Sequence, residues 1–162
     1  VQIRYSLRPY LYSEFLKAVI NNEMIFRPLA FDFPDDTDAQ QTEDQLFVGN
    51  EIMIAPVYKQ NAKGRYVYLP EEMMLVRMRN YNNFETEILP AGHHWVKAEL
   101  NELVFFIRKG KAVPMCEPAE NTESIDYNSI RLTGYADCSY ELYKDNGISP
   151  EPEKSLEIIS LT

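Results

Sequence analysis

The sequence predicts a mainly β fold: an antiparallel β-sandwich preceded by a helix and a strand that belong to a larger α/β body. Three observations point that way. From about residue 45 onward, short runs rich in β-formers follow one another, punctuated by Gly, Pro and Asn. One amphipathic helical pattern stands before them, and a single apolar run lies between. A lone helix and one parallel-type strand cannot form a stable α/β layer, so they read as the end of a bigger one.

Residues 2 to 21 carry the helical pattern. Ile3, Leu7, Leu11, Phe15 and Val19 recur every fourth position, and Leu16 and Ile20 widen the stripe. Pro9 lies inside it, so a kink or a helix start is expected there. Asn21 and Asn22 suit the C-cap. Ile25 to Phe33 is short, apolar and bounded by turn residues, which predicts a strand buried on both faces, as in a parallel sheet. Pro34 stops it. "DDTDAQQTEDQLFVG" then suits a surface loop with a short helical turn.

The β-rich runs are "NEIMIAPVY", "GRYVYLP", "MMLVRMR", "FETEILP", "HHWVKAEL", "ELVFFIRKG", "KAVPM", "SIRLTGY", "CSYELYKDNG" and "SLEIISL". Asn146-Gly147 is a strong turn signal, which becomes a hairpin only if a flanking strand pairs across it. "ISPEPEK" reads as an exposed loop before a last short strand. There is no internal repeat.

The 162 residues, 45% of them hydrophobic, suit one domain or one and a part. A net charge of -9 repels phosphate backbones and anionic lipid, so nucleic acid and membrane surfaces are poor partners, while neutral substrates such as sugars fit. No apolar stretch approaches the roughly 20 residues of a bilayer span. The chain starts at Val1, already within the helical pattern, as expected of a piece of a longer protein; compartment is not legible from it. Cys116 and Cys138 are expected as free thiols, buried or partly so.

Six blocks, in order, resemble glycoside hydrolase family 31, the α-glucosidase and α-xylosidase family. "RYSLRPYLYSEF" is similar to its RY-x-L-x-PYLY helix, and "FRPLAFDFPDD" to its RPL…FP-x-D block. "DQLFVGNEIMIAPV", "RYVYLP", "ELVFFIRKGKAVPM" and "YELYKDNG" resemble its DQF…APV, VYLP, PVF…RAG…IIP and LY-x-DDG blocks. Two departures stand out. After "YLP" the family continues with Gly-x-Trp and an aspartate-bearing loop, where this chain has "EEMMLVRMRNYNNFETEILPAGHHW". Asn146 replaces an Asp.

The resemblance implies a (β/α)8 barrel with β-domains around it. It places residues 1–44 at the C-terminal end of the barrel and residues 45–162 in the proximal C-terminal β-sandwich. It also implies retaining hydrolysis of α-linked glucosides by two carboxyl groups about 5 Å apart, one a nucleophile and one an acid and then a base. Both lie upstream of this chain in the family, and their motifs do not occur here. No catalytic residue is therefore expected within the chain, and no cofactor. Substrates would be α-glucosides or oligosaccharides met by the missing barrel, and the chain would pack on that barrel.

Asp32 sits where a barrel strand end could use it, yet it has no partner within the chain for such a pair. Asp32, Asp35 and Asp36 read instead as strand end and solvated turn. Arg27 is expected to enter the barrel end and pair with an upstream carboxylate, in a structural role. His93 and His94 are adjacent, so on a strand they point to opposite faces and cannot easily share a metal. "RKGK" at 108–111 reads as a turn. The eleven tyrosines suit half-buried strands, although with Trp95 they could also stack on sugars. Two alternatives to a supporting role follow: an independent carbohydrate-binding module carried by the tyrosines and Trp95, and an interaction surface in a homo-oligomer.

Overall fold

Pro9 divides the opening helix in two: α1 (Gln2–Ser6) and α2 (Arg8–Asn21), with Leu7 between them. A proline has no N–H to offer the carbonyl four residues back. The end of a later strand supplies donors instead: the Cys116 thiol reaches Tyr5 O at 3.5 Å, and the Cys116 N–H reaches Ser6 O at 3.0 Å. Asn22, left-handed at φ 56°, closes α2 by donating its N–H to Ala18 O. The break rotates the apolar stripe. Leu7 and Leu16 are buried, but Phe15 and Val19 face outward. The buried side of α2 carries Tyr10, Ser13 and Glu14 instead.

The computed structural model describes residues 2–119, 126–127, 129–148 and 152–162. After α2 come β1 (Phe26–Pro28), the single turn α3 (Leu29–Asp32) and α4 (Thr37–Gln41). Strands follow: β2 (Leu46–Val48), β3 (Ile52–Ile54), β4 (Gly64–Leu69), β5 (Met73–Asn80), β6 (Asn83–Leu89) and β7 (Gly92–Lys97). The rest are β8 (Leu103–Arg108), β9 (Ala112–Met115), β10 (Arg131–Gly134), β11 (Tyr140–Lys144) and β12 (Glu157–Leu161).

A six-stranded antiparallel sheet ordered β1-β2-β3-β8-β5-β6 forms the middle of an antiparallel β-sandwich. Alternation along its strands feeds two cores. Val48, Ile52, Met74, Val76, Phe105 and Ile107 point to one face, where α1, α2, β9, β10 and β11 cover them. Phe47, Met53, Met73, Leu75 and Phe106 point to the other, under Leu29, Ala39 and the two-stranded antiparallel sheet of β4 and β7.

The segment Ile25–Phe33 differs from its reading as a doubly buried parallel strand. Only Phe26–Pro28 is extended, and it pairs antiparallel with β2, Phe26 opposite Val48. It is an edge strand with one neighbour, which suits Pro28, a residue with no ladder donor. The chain then turns through α3, so Leu29 is fully buried while Phe26 and Phe31 stay exposed. The polar loop read over 35–49 hides a further strand, β2, whose Phe47 is fully buried. Three residues are too few to display a period. The helical turn expected in that loop is α4, capped by the Asp36 carboxylate.

Asn146-Gly147 makes a turn, with Gly147 at φ 66°, but β11 pairs with β12 across a longer connection. Ser149, Pro150 and Glu151 of the expected exposed loop, like Val1 and residues 120–125, lie outside the described residues. "RKGK" is the turn between β8 and β9, with Lys111 N–H bonded to Arg108 O at 3.1 Å. Cys116 is buried and Cys138 half-buried, both free thiols.

Candidate functional site

Asp32 is the carboxylate that the sequence singles out, and two other chain segments converge on it. Arg27, on β1, donates from Nε to Oδ1 at 2.8 Å and from Nη2 to Oδ2 at 3.0 Å. Arg108, at the end of β8, donates from Nη1 to Oδ2 at 2.8 Å. The two arginines reach further. Arg27 Nη2 also meets Asn50 Oδ1 at 2.9 Å, and Arg108 Nε meets the Glu71 carboxylate. The Arg108 guanidinium lies over Phe47, 4.9 Å from the ring centre. Forked guanidinium contacts of this kind fix geometry as well as charge.

Within this chain Arg27 pairs with a carboxylate five residues away. Asp32 itself lies on the one-turn helix α3 rather than on a strand end, because the chain turns at Pro28. Arg27 above all, and then Arg108, holds its carboxyl below the usual carboxylate range. An acid kept ionised, with both oxygens occupied, has no proton to give and little freedom to attack. The arrangement is a clamp that ties β1 and α3 to the sheet.

Asp36 is also engaged. It accepts from the Asp38 and Ala39 N–H groups at 3.0 and 3.1 Å as the α4 cap, and from the Tyr68 hydroxyl at 2.6 Å. That hydroxyl holds the Asp36 carboxyl below its ordinary value, and Asp36 pushes the Tyr68 phenol up to about 12. Asp35 is exposed on the turn. His93 and His94 diverge along β7. His93 Nε2 lies 3.3 Å from Asp38 Oδ2, and His94 Nε2 lies 2.7 Å from Pro90 O.

A second polar cluster lies buried beneath α2. Tyr10 donates its hydroxyl to Val48 O and lies 3.2 Å from Glu51 Oε2; Tyr140 donates to Glu14 Oε1 at 2.7 Å. Lys17 completes it, 2.7 Å from Glu14 and 3.9 Å from the Tyr140 ring centre. Burial first, and then Glu14, raises the Glu51 carboxyl above its usual range. These contacts join α2 to the β2–β3 turn and to β11, an anchoring role with no opening to solvent for a substrate: Tyr10 is 0% exposed, Glu14 4% and Glu51 5%.

The outer face of the β4–β7 sheet is different in kind. Tyr66 faces Trp95 across the ladder, ring centres 5.0 Å apart and nearly edge to face, and Tyr68 faces His93 at 4.8 Å. Tyr66 is 70% exposed and Trp95 58%. Half-burial therefore does not account for these two rings. The signal was present in the period of two: "YVY" and "HHW" each put two rings on one face.

A comparison with protein families matches residues 22–113, more than half of the chain, to the glycosyl hydrolase family 31 C-terminal domain. This chain belongs to glycosyl hydrolase family 31. It is similar to α-glucosidase 2 of Bacillus thermoamyloliquefaciens, 30% identical over 95% of this chain and 19% of that protein. It is also similar to the α-xylosidase of Saccharolobus solfataricus, 31% identical over 95% of this chain and 21% of that protein. Among solved structures, a family 31 α-xylosidase from Xanthomonas citri superposes with a TM-score of 0.79 at 26% identity, covering 98% of this chain and 17% of its own. The chain thus spans about a fifth of the length of its family 31 relatives, which are glycosidases by name.

The six family 31 blocks fall on the elements that build the clamp and the cores. They supply the α1–α2 kink, β1 with α3, the β2–β3 hairpin, β4, the β8–β9 turn and β11. Arg27, Asp32 and Arg108 all lie within them, so these family blocks carry a structural junction.

Proposed function

We propose that this chain is the C-terminal portion of a retaining α-glucosidase. In this reading residues 1–44 close a catalytic barrel and residues 45–162 form the sandwich that supports it. The acid and the nucleophile belong to the upstream barrel, and the substrates are α-linked glucosides. The observation that carries the reading is a set of outward-facing apolar side chains in the first 31 residues. Phe15, Val19, Met24, Phe26 and Phe31 are 47–62% exposed, on elements that the buried cluster beneath α2 and the Asp32 clamp tie to the sheets. Apolar exposure beside a rigid polar junction is what a severed internal interface presents. Relatives named α-glucosidase and α-xylosidase support a parent that cleaves α-glycosides.

The clamp chemistry supports the division of labour. Asp32 is ionised and fully bonded, and the buried Glu14 and Glu51 do not face solvent. The test compares the purified 162-residue chain with the whole enzyme on p-nitrophenyl α-glucoside and α-xyloside. The expected outcome is turnover of the glucoside by the whole enzyme alone. Turnover by the isolated chain would falsify the division, and preference of the whole enzyme for the xyloside would replace the substrate.

A further inference from the structure

We infer that the outer face of the β4–β7 sheet is an accessory binding surface for a neutral oligosaccharide of pyranose sugars, separate from any catalytic centre. Four rings lie in two cross-strand pairs on this face, Tyr66 with Trp95 and Tyr68 with His93. The opposite face of the same sheet is committed to the core, with Val67, Leu69 and Val96 at 0–3% exposure. The core of this chain therefore does not demand the aromatic face, and large exposed rings are the costly exception on a sheet surface.

The polar surroundings are preset. Tyr58, 68% exposed, stands beside the row with its hydroxyl 3.2 Å from Asp44 Oδ2. Arg65 fixes this arrangement from behind. It donates to Pro56 O at 2.8 Å, to Asp44 O at 3.2 Å and to Tyr66 O at 3.0 Å, and it pairs with the Asp44 carboxylate. The Tyr68 phenol and His93 are likewise held by Asp36 and Asp38. Two hollows of about 360 and 430 Å³ adjoin along the row, both lined by Asp44, Tyr58, Arg65 and Tyr66. Each is within the size range of small-molecule sites, roughly 300–1,000 Å³.

Pyranose rings match this surface. Their axial C–H faces lie flat on aromatic rings, and their equatorial hydroxyls project sideways to carboxylates and guanidinium groups at the ring edge. Rings already held in place lose little freedom on binding, which favours a ligand that has only weak contacts to offer. The net charge of -9 argues against a polyanion stacking on the same rings. The ligand class rests on the glycosidase reading above; the location rests on the ring geometry alone.

Trp95 is the sole tryptophan, so its fluorescence reports this face directly. The 162-residue chain is titrated with maltotetraose and with isomaltotetraose. The expected result is a saturable change in Trp95 emission, with Kd on the order of 1 mM or tighter. Tyr66→Ala keeps the reporter and should weaken binding at least about tenfold. Trp95→Ala, followed by calorimetry, should do the same, while Ile158→Ala on β12 should bind as the parent does. Circular dichroism melts confirm that each variant is folded. No saturable signal from either sugar by fluorescence and calorimetry, or unchanged binding in folded Tyr66→Ala and Trp95→Ala, overturns the inference. Because binding is read without turnover, a parent inactive on α-glucosides would sink the proposed function and leave this site standing, and the reverse holds equally.

Discussion

Arg108 reaches Asp32 across 76 positions of sequence, Nη1 to Oδ2 at 2.8 Å, while Arg27 grips the same carboxylate from five residues away. Both side chains of the longer pair are at most 20% exposed. Removing the shared acceptor leaves two guanidinium groups short of a partner. Asp32→Ala should cost roughly 1.5–3 kcal/mol, the scale of a hydrogen bond to a charged group. The pH dependence has a definite sign. The folded carboxyl titrates below its unfolded value of about 4, so the clamp contributes fully above that value and is lost as pH falls through the folded one. Urea midpoints from neutral pH into strong acid should show the wild type losing its advantage over Asp32→Asn in that window. A gap that stays constant would remove the clamp from the account.

Glu51 works in the opposite sense. Its folded carboxyl titrates above the unfolded value, so its favourable contribution is complete below about pH 4.3 and disappears as pH rises through the folded value. Glu51→Gln keeps an acceptor for the Asn50 N–H, which meets Glu51 Oε2 at 3.1 Å, and for the Tyr10 hydroxyl. The variant should lose less stability than the wild type between pH 4 and pH 7. Equal pH slopes in denaturant melts would contradict this.

Gly49 has φ at +67° and gives its N–H to Ile25 O at 2.8 Å. A Cβ there would collide with the Glu14 carboxylate and the Tyr10 hydroxyl. Gly49→Ala combines left-handed strain, about 1–3 kcal/mol, with displacement of the buried polar cluster. A clear fall in Tm is expected, and a Tm within error of the parent would show that the turn can relax.

Phe47 and Phe31 make a paired test. Phe47 is fully buried and packs in the core under the β4–β7 sheet, so Phe47→Ala should cost about 3–5 kcal/mol. Phe31 is 62% exposed, and Phe31→Ala should leave the isolated chain within about 0.5 kcal/mol. In the whole enzyme the proposed barrel contact predicts that Phe31→Ala lowers Tm as well. Differential scanning calorimetry of both forms reads the contrast directly.

Local pattern makes much of this fold legible in the sequence. Pro9 announced the helix break and Asn22 the cap, because both act through their own backbone dihedrals. Ten of the twelve strands among the described residues fall on the β-rich runs, since alternation and punctuation are local. The two misplaced strands, β1 and β2, are three residues each and carry no visible period. The exposed ring row was half visible: alternation puts Tyr66 with Tyr68 and His93 with Trp95, but not one pair opposite the other.

By itself, then, the sequence determined the mainly β class, the broken helix and, through six ordered blocks, the family. Only the tertiary structure decided what Asp32 does, which face of α2 is buried, and which rings meet. A carboxylate's role depends on what surrounds it. Arg108 comes within bonding distance of Asp32 only because β8 and β1 lie in one sheet, with β2 and β3 between them. Contacts of that range are products of strand order, and strand order is a property of the packed whole rather than of any local run.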